Sequence, residues 1–192
     1  LQHLADRAGV QLPKIEYSKE VREKEQQKAE LLEINKHAAQ YYYYQLRTEG
    51  GKQGYQYLAG RQLKEETMRR FGLGYSDKFG SGLYKYLKSK GYGDERLRES
   101  GLFNVDERHG MYDKFWNRVI FPIMDVNNRV IGFGGRVMGD GKPKYLNSPE
   151  TKIFDKSRNL YGLNIARTTR KKYLILCEVY MDVIAMHQAG FT

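Results

Sequence analysis

Two short apolar runs near the middle of the chain constrain its fold more than any other feature. They cover Val119–Met124 and Val130–Val137, and Asn127 and Asn128 stand between them. Because asparagine tolerates a positive φ, this spacing predicts a β-hairpin closed by a tight turn. Three glycines leave one face of the second strand almost without side chains: Gly132, Gly134 and Gly135. Such a strand favours either a bulge or close packing, or the close approach of a ligand.

Positive charge is concentrated directly after this hairpin. Between Arg136 and Lys172 there are ten basic and three acidic residues, so this segment carries +7 (ten minus three) of the whole-chain net charge of +10. The basic residues are Arg136, Lys142, Lys144, Lys152, Lys156, Arg158, Arg167, Arg170, Lys171 and Lys172. They are separated by turn formers and hydrogen-bonding residues, without the apolar spacing of a solvated helix. We therefore expect a surface that binds phosphate groups.

The composition limits the class of protein. The chain has 192 residues, of which 40% are hydrophobic, enough for one sizeable domain or one domain and part of another. No apolar run approaches the roughly 20 residues that span a bilayer, and the first residues lack the pattern of a secretory signal. A pI near 9.5 favours nucleic acid over a membrane surface as the partner. Because residue 1 is not Met, we expect a fragment of a longer protein.

Cysteine and histidine usage excludes two kinds of stabilising cross-link. The single cysteine, Cys177, cannot form an internal disulfide, and a cytoplasmic location is the default expectation. The four histidines are scattered and have no partner cysteines, so we do not expect a structural zinc site within this chain.

The order of the predicted elements indicates an α+β fold in which a helical cluster packs on a small mixed sheet. Helices are predicted over residues 18–49, 53–59, 63–71 and 82–90. Short extended segments are predicted at Leu102–Val105 and Met111–Asp113. The tyrosine run Tyr41–Tyr44 either stacks on bases or, in the interpretation we favour, packs partly against the core, because four consecutive residues point all round a helix.

Near the end of the chain, two acids follow a compact apolar run. Tyr173–Cys177 is predicted to be a buried parallel strand, with Glu178 at its carboxyl end and a helix over Tyr180–Gln188. Ligands of open α/β sheets bind at that edge, so Glu178 and Asp182 are candidates to hold a divalent metal. The alternative is structural: an ion pair for Glu178 and a helix N-terminal contact for Asp182.

Several long and idiosyncratic segments carry a resemblance to a known family. They read YLAGRQLKEETMRRFGLGYS, IFPIMDVNNRVIGFGGRVMGDGKPKYLNSPETKIFDKSRNLYGLNIAR and CEVYMDVIAMHQAGF. In these segments the chain resembles bacterial DNA primase of the DnaG type. The resemblance implies a linker over residues 1–17 after a separate zinc-binding domain, the N-terminal subdomain of the polymerase core over 18–168, and the start of a TOPRIM subdomain over 169–192.

The resemblance also implies roles for particular residues. Glu178 matches the catalytic TOPRIM glutamate, and with Asp182 it would bind Mg²⁺ or Mn²⁺ in the complete enzyme. Residues that would bind nucleic acid and nucleotides are Arg61, Arg118, Arg136, Lys144, Tyr145, Asn147 and Lys156. The implied activity is synthesis of RNA primers on a single-stranded DNA template from nucleoside triphosphates. A replicative helicase would contact a region outside this chain. We expect the chain itself to be monomeric. We expect the complete enzyme to be associated with the nucleoid at the replication fork.

The chain departs from the family pattern at three places. Val179 stands where the family has glycine after the glutamate, and Lys114 and Trp116 stand where it has two arginines. The paired aspartates of the later TOPRIM motifs are not present, so we expect no complete metal site. Two alternatives remain: a non-catalytic module that binds single-stranded nucleic acid, and another TOPRIM enzyme. The primase hypothesis depends on a positively charged groove that has the glycine-rich strand at its base and directs phosphates towards Glu178.

Overall fold

The fold was obtained as a computed structural model, which describes Arg7, Gly9 and residues 19–108 and 110–191. The predicted linker over residues 1–17 lies outside the described residues apart from Arg7 and Gly9. Within the described ranges, no helix is both long and apolar enough to cross a membrane.

Helices make up most of the first half of the described chain. Seven α-helices are described, α1 Lys19–Gln45, α2 Lys52–Gly60, α3 Glu65–Arg70, α4 Gly82–Ser89, α5 Asp94–Glu99, α6 Leu163–Ala166 and α7 Tyr180–Gln188. Short 3₁₀ helices lie at Glu49–Gly51 and Lys156–Arg158. The helices predicted between residues 18 and 90 are confirmed to within a few residues at each end.

The described strands form two antiparallel sheets. Six strands are described, β1 Gly74–Ser76, β2 Phe103–Asp106, β3 Gly110–Asp113, β4 Arg118–Met124, β5 Val130–Val137 and β6 Tyr145–Asn147. The larger sheet has the order β1-β4-β5-β6, and β2 pairs with β3. The α+β class is therefore confirmed, but the expectation of a mixed sheet is wrong, because every pairing among the described strands is antiparallel.

Helix α1 spans the length of the helical cluster and buries only its second half. Leu31, Ile34, Ala38 and Tyr42 are fully buried, at the three- and four-residue spacing of one helix face. The Tyr42 ring packs edge-on against Phe133 of β5, with 5.6 Å between ring centroids. Tyr42 is thus a core residue, whereas Tyr44 is 67% exposed, as expected if the tyrosine run only partly faces the core.

The central hairpin is confirmed, and its turn is closed by an aspartate. Asp125 follows β4, and its Oδ1 accepts hydrogen bonds from the backbone N–H groups of Asn127 (2.9 Å) and Arg129 (3.0 Å). Asn128 has a φ of +62°, the conformation that asparagine tolerates better than most residues. The strand register that follows from this turn fixes which side chains share a face of the sheet.

The glycines of β5 are packed against aromatic rings, so the predicted bare strand face is wrong. Alternation places Gly132 and Gly134 on one face and Gly135 on the other. A β-carbon at Gly134 would lie 2.2 Å from Tyr180 Cε2, and one at Gly132 would lie 3.1 Å from the Phe154 ring. On the opposite face, a β-carbon at Gly135 would lie 2.8 Å from Phe115. These glycines admit rings of the same chain, which is the close packing anticipated as the alternative.

The predicted buried strand at Tyr173–Cys177 is also wrong. No described strand pairs with this segment, and Tyr173, Leu174, Ile175 and Leu176 are 59%, 62%, 47% and 81% exposed. A strand needs a neighbour to satisfy its backbone groups, and the described residues provide none here. Glu178 therefore does not end a parallel strand. Helix α7 is confirmed over the range that the sequence predicts, and Ile184 is its fully buried residue.

Candidate nucleic-acid interface

One face of the larger sheet collects three of the predicted site residues. In the antiparallel register Arg136 lies opposite Tyr145, and Gly134 lies opposite Asn147. Residues opposite each other share a face, so Arg136, Tyr145 and Asn147 project to the same side. We call this side the α7 face, because Phe121, which is opposite Gly134, stacks on Tyr180 of α7 with 5.4 Å between ring centroids.

Two of the predicted arginines meet at a tyrosine that the sequence did not single out. The guanidinium carbon of Arg136 lies 4.4 Å from the ring centroid of Tyr57, and that of Arg61 lies 5.6 Å from it. Both distances are within the range of cation–π attraction. Tyr57 belongs to α2, and Arg61 directly follows that helix. The ring thus holds two cations from distant parts of the chain at one place.

The Arg136 side chain is further fixed by the backbone. Its Nη1 donates to the carbonyl oxygen of Val137 (2.6 Å), and its Nε is buried without a hydrogen-bond partner among the described residues. A buried guanidinium N–H without an acceptor costs free energy, so the packing around this side chain carries a local cost. Arg61, in contrast, is exposed to solvent.

The start of helix α7 is tied to the edge strand β6 through Tyr180, which lies between the two acids in sequence. The Tyr180 hydroxyl donates to Asn147 Oδ1 (2.8 Å), and burial of the ring raises the pKa of Tyr180 to about 12, so the hydroxyl keeps its proton at neutral pH. Glu178 and Asp182 are each two residues from Tyr180, and both are exposed. Because consecutive Cα atoms are about 3.8 Å apart, each acid lies within roughly 8 Å of Tyr180 along the backbone.

Val179, between Glu178 and Tyr180, fits its position without strain. It is the N-cap of α7 with a φ of −119° and a ψ of 148°, which is extended backbone that β-branched residues adopt readily. The departure from the family glycine therefore requires no unusual loop in this structure.

Lys156 and Lys144 lie on two loops next to the larger sheet. Lys156 opens a 3₁₀ helix capped by Asp155, whose carboxylate accepts from the Ser157 N–H (2.9 Å). The preceding Phe154 packs on Gly132, on the α7 face. Lys144 directly precedes β6, and its carbonyl oxygen accepts from the Val137 N–H (3.0 Å), so it lies opposite Val137 at the edge of the sheet, where alternation directs it away from the α7 face. Both lysine side chains are exposed.

Arg118 is placed differently from the other predicted basic residues. It lies opposite Val137, on the face of the sheet away from α7, and is only 5% exposed. Its Nη1 donates to the carbonyl oxygens of Gly135 (3.2 Å) and Pro143 (2.9 Å), and burial lowers its pKa. These contacts give Arg118 a structural role in holding the loop before β6.

Part of the basic segment after the hairpin is occupied by contacts within the protein. Lys152 donates to Glu99 (2.8 Å) and Gln27 (2.7 Å), which ties this loop to α5 and α1. Arg158 pairs with Asp155 (3.4 Å), and Arg167 donates to the carbonyl oxygen of Val126 (2.6 Å). The count of charges in sequence therefore overstates the positive charge free to meet a ligand.

Acidic residues do not form a complete metal site in the part of the chain that the structure describes. No three His, Cys, Asp or Glu side chains come together there. A mainly apolar cavity of about 470 Å³ lies between α6, α7 and the 173–177 segment, and Glu178 is at its margin. Its lining of Leu160, Leu174, Val183 and Met186 suits apolar groups rather than phosphates.

Comparison with known proteins identifies the family to which this chain is similar. A family model described as the N-terminal domain of the DNA primase catalytic core matches residues 41–167. The DNA primase of Clostridium acetobutylicum is 44% identical over 193 residues, which cover 99% of this chain and 31% of the relative. This chain thus spans about a third of the length of that curated relative.

Two solved structures share the fold. The RNA polymerase domain of Mycobacterium tuberculosis primase DnaG, in complex with a double-stranded DNA oligomer with a 6-nucleotide overhang, matches with a TM-score of 0.80 at 34% identity, covering 85% of this chain and 52% of that one. A DnaG primase catalytic domain bound to single-stranded DNA matches with a TM-score of 0.79 at 38% identity, covering 86% and 54%.

One of these relatives is an RNA polymerase domain and the other a catalytic domain, and both are bound to DNA. The class is therefore a core domain of a nucleic-acid polymerase. The chain belongs to the DnaG-type DNA primase family, through the N-terminal domain of the catalytic core. The resemblance carried by the sequence motifs is confirmed.

Proposed function

We propose that this chain supplies the surface on which a DNA primase holds its single-stranded template and nucleoside triphosphates. The observation that carries the proposal is the common placement of Arg136, Tyr145 and Asn147 on the α7 face, beside the helix that bears Asp182 and follows Glu178. One of the solved relatives is a catalytic domain bound to single-stranded DNA, which supports the same substrate here.

The chemistry of the α7 face suits a nucleotide chain. Arg61 presents a planar guanidinium group that can bind phosphate oxygens in pairs, and Arg136 offers its remaining N–H groups. Lys156, and Lys144 at the edge of the sheet, add flexible point charges. The half-buried Tyr145 offers a ring for base stacking. Because Asn147 Oδ1 accepts from Tyr180, the orientation of its amide is fixed and its NH₂ group can donate to a ligand.

The complete enzyme would join ribonucleotides into a primer. The 3′-hydroxyl of one nucleotide attacks the α-phosphate of the next, and pyrophosphate leaves. Glu178 and Asp182 are exposed carboxylates, the ligand type that Mg²⁺ or Mn²⁺ prefers alongside substrate phosphates, and they fit as part of a donor set. When bound, such a metal lowers the pKa of the attacking hydroxyl and neutralises charge on the reacting phosphate. Arg61, Arg136, Lys144 and Lys156 would orient the triphosphate and template.

The proposed division of the chain follows from the same assignment. Residues 18–168 would form the N-terminal subdomain of the core, and residues 169–192 would open a TOPRIM subdomain. Zinc would be bound in a separate domain outside this chain, and the replicative helicase would contact the enzyme elsewhere.

The proposal is tested by binding of a fluorescent single-stranded oligonucleotide to the whole chain at several salt concentrations. Lys144→Ala and Lys156→Ala should each weaken binding and reduce the slope of log affinity against log salt by roughly 0.7 to 1, the value for one lost phosphate contact. Lys152→Ala is the matched control, because its charge is already paired with Glu99. Unchanged affinity and slope for both variants would contradict the proposal.

A further inference from the structure

An exposed aromatic pair lies on two adjoining loops outside the α7 face. Phe79 is 77% exposed and Trp116 is 48% exposed. Leaving a large aromatic side chain in water forgoes the stabilisation that burial would provide. Trp116 stands where the family pattern has an arginine, so neither fold nor family accounts for its ring.

Backbone hydrogen bonds hold the two loops together. The Asn117 N–H donates to the carbonyl oxygen of Asp77 (2.7 Å), and the Asp113 N–H donates to that of Gly80 (2.8 Å). In sequence, Phe79 lies between the acceptors Asp77 and Gly80. Trp116 lies between the donors Asp113 and Asn117. The backbone therefore places the two aromatic residues on adjoining, hydrogen-bonded segments.

Both loops are ordered by further bonds. The carboxylate of Asp77 accepts from the Phe79 N–H (2.9 Å), which fixes the turn that presents the ring. Asn117 accepts from the Tyr75 hydroxyl (2.9 Å) and donates to the carbonyl oxygen of Met138 (3.1 Å). The rings are presented by a fixed scaffold, so little side-chain and loop ordering would oppose binding.

The local charge indicates the kind of ligand. Lys78 Nζ lies 5.9 Å from the Phe79 ring centroid, and Lys114 is two residues from Trp116. Of the nearby carboxylates, Asp113 is buried and accepts from the Leu83 and Tyr84 N–H groups, and Asp77 accepts from the Phe79 N–H, so backbone donors engage both. Aromatic faces with lysines beside them are the elements by which proteins bind single-stranded nucleic acid without sequence preference.

The aromatic pair is continuous with the basic cluster of Arg136. Asn117, next to Trp116, exchanges two hydrogen bonds with Met138, which is two residues beyond Arg136. A strand whose phosphates contact the α7 face would therefore have neighbouring nucleotides within reach of these loops.

We propose that Phe79 and Trp116 form a base-stacking platform that binds unpaired bases of a single-stranded nucleic acid next to the α7 face. The proposal rests on the proposed function of that face. It adds a subsite that recognises bases rather than phosphates. In this subsite the Trp116 ring stands where the family pattern has an arginine.

The test uses the fact that Trp116 is the single tryptophan of the chain. A short thymidine oligonucleotide should quench its fluorescence, while an abasic oligomer of the same phosphate number should bind through the α7 face with little quenching. Phe79→Ala and Trp116→Ala should weaken binding of the thymidine oligonucleotide by roughly 5- to 150-fold and leave the abasic oligomer unaffected. Because Trp116→Ala removes the tryptophan fluorescence, its binding is measured by the anisotropy of a labelled oligomer.

Two further variants make the result specific. Trp116→Phe keeps a stacking ring and should retain most of the affinity. Val126→Ala removes exposed apolar surface at the other end of β4 and should have no effect.

The outcomes separate this proposal from the proposed function. If Lys156→Ala weakens binding but Phe79→Ala and Trp116→Ala do not, the α7 face binds DNA and the platform is wrong. Equal losses of affinity for the thymidine and abasic oligomers would overturn the stacking proposal. It would also be overturned if both variants had a lower melting temperature and unfolding accounted for their weaker binding. If neither oligomer binds the unmodified chain, the proposed function fails and the platform with it.

Discussion

Tyr57 is the residue whose removal most directly tests the geometry of the basic cluster. Its ring is contacted by the guanidinium groups of Arg136 at 4.4 Å and Arg61 at 5.6 Å. Tyr57→Leu would keep an apolar side chain in the surrounding core but remove the ring face. Both arginines would then regain side-chain freedom, which must be lost again when a phosphate binds.

The expected magnitude follows from those two contacts. Immobilising one long side chain costs about 0.5–1.5 kcal/mol, so freeing both arginines should cost about 1–3 kcal/mol of binding free energy, or roughly 5- to 150-fold in affinity for single-stranded DNA. The loss of two cation–π contacts should also lower the free energy of unfolding by about 1–2 kcal/mol. Oligonucleotide anisotropy titration and urea unfolding measure the two quantities.

Two controls isolate the ring face of Tyr57. Tyr57→Phe keeps the ring and should bind DNA nearly as well as the unmodified protein. Tyr43→Leu removes a closer cation–π contact, at 3.6 Å from Arg47, but Arg47 remains paired with Glu65, so DNA affinity should not change. The prediction is refuted if Tyr57→Leu binds DNA normally, or if Tyr57→Phe loses as much affinity as Tyr57→Leu.

Three predictions concern the scaffold. Gly134→Ala should lower the free energy of unfolding by about 1–3 kcal/mol, because its β-carbon would collide with Tyr180. The control Gly60→Ala, in open space on α2, should be neutral or stabilising. Equal urea midpoints for these two variants would contradict the prediction. Arg118→Ala should destabilise by about 1–3 kcal/mol, because it leaves two carbonyl groups without their donor, and normal thermal stability would count against the structural role. Burial raises the pKa of Asp113, so its protonation favours the folded state; that contribution is complete below the unfolded pKa of about 3.9 and is lost as pH rises through the folded value. Stability measured against pH should show this fall in the unmodified chain and not in Asp113→Asn, and identical profiles would refute it.

Local signals in the sequence were sufficient for most of the fold. Helical composition and stop signals predict α1, and the alternation around Asn128 predicts the hairpin. Strand alternation also separates Gly132 and Gly134 from Gly135, since the side-chain period of a strand is two residues. The expectation of a single bare face overlooked that period.

The remaining features depend on contacts between distant segments. Tyr57 gives no sign in sequence that it meets Arg136, because the two are brought together only when α2 packs beside the sheet. Arg118 reads as one more basic residue until the register places it on the opposite face. The error at Tyr173–Cys177 has the same origin, since apolar composition indicates a buried strand only where partner strands exist.

The hydrogen bond between Tyr180 and Asn147 makes the start of α7 and the edge strand β6 move as one unit. A motion that carried Glu178 and Asp182 away from the sheet would have to break this bond and withdraw a ring from its socket above Gly134. The acids and the amide of Asn147 are therefore kept in fixed alignment before any substrate arrives. Adjustment during a reaction cycle would then fall to the exposed lysines, whose long side chains can follow a moving phosphate.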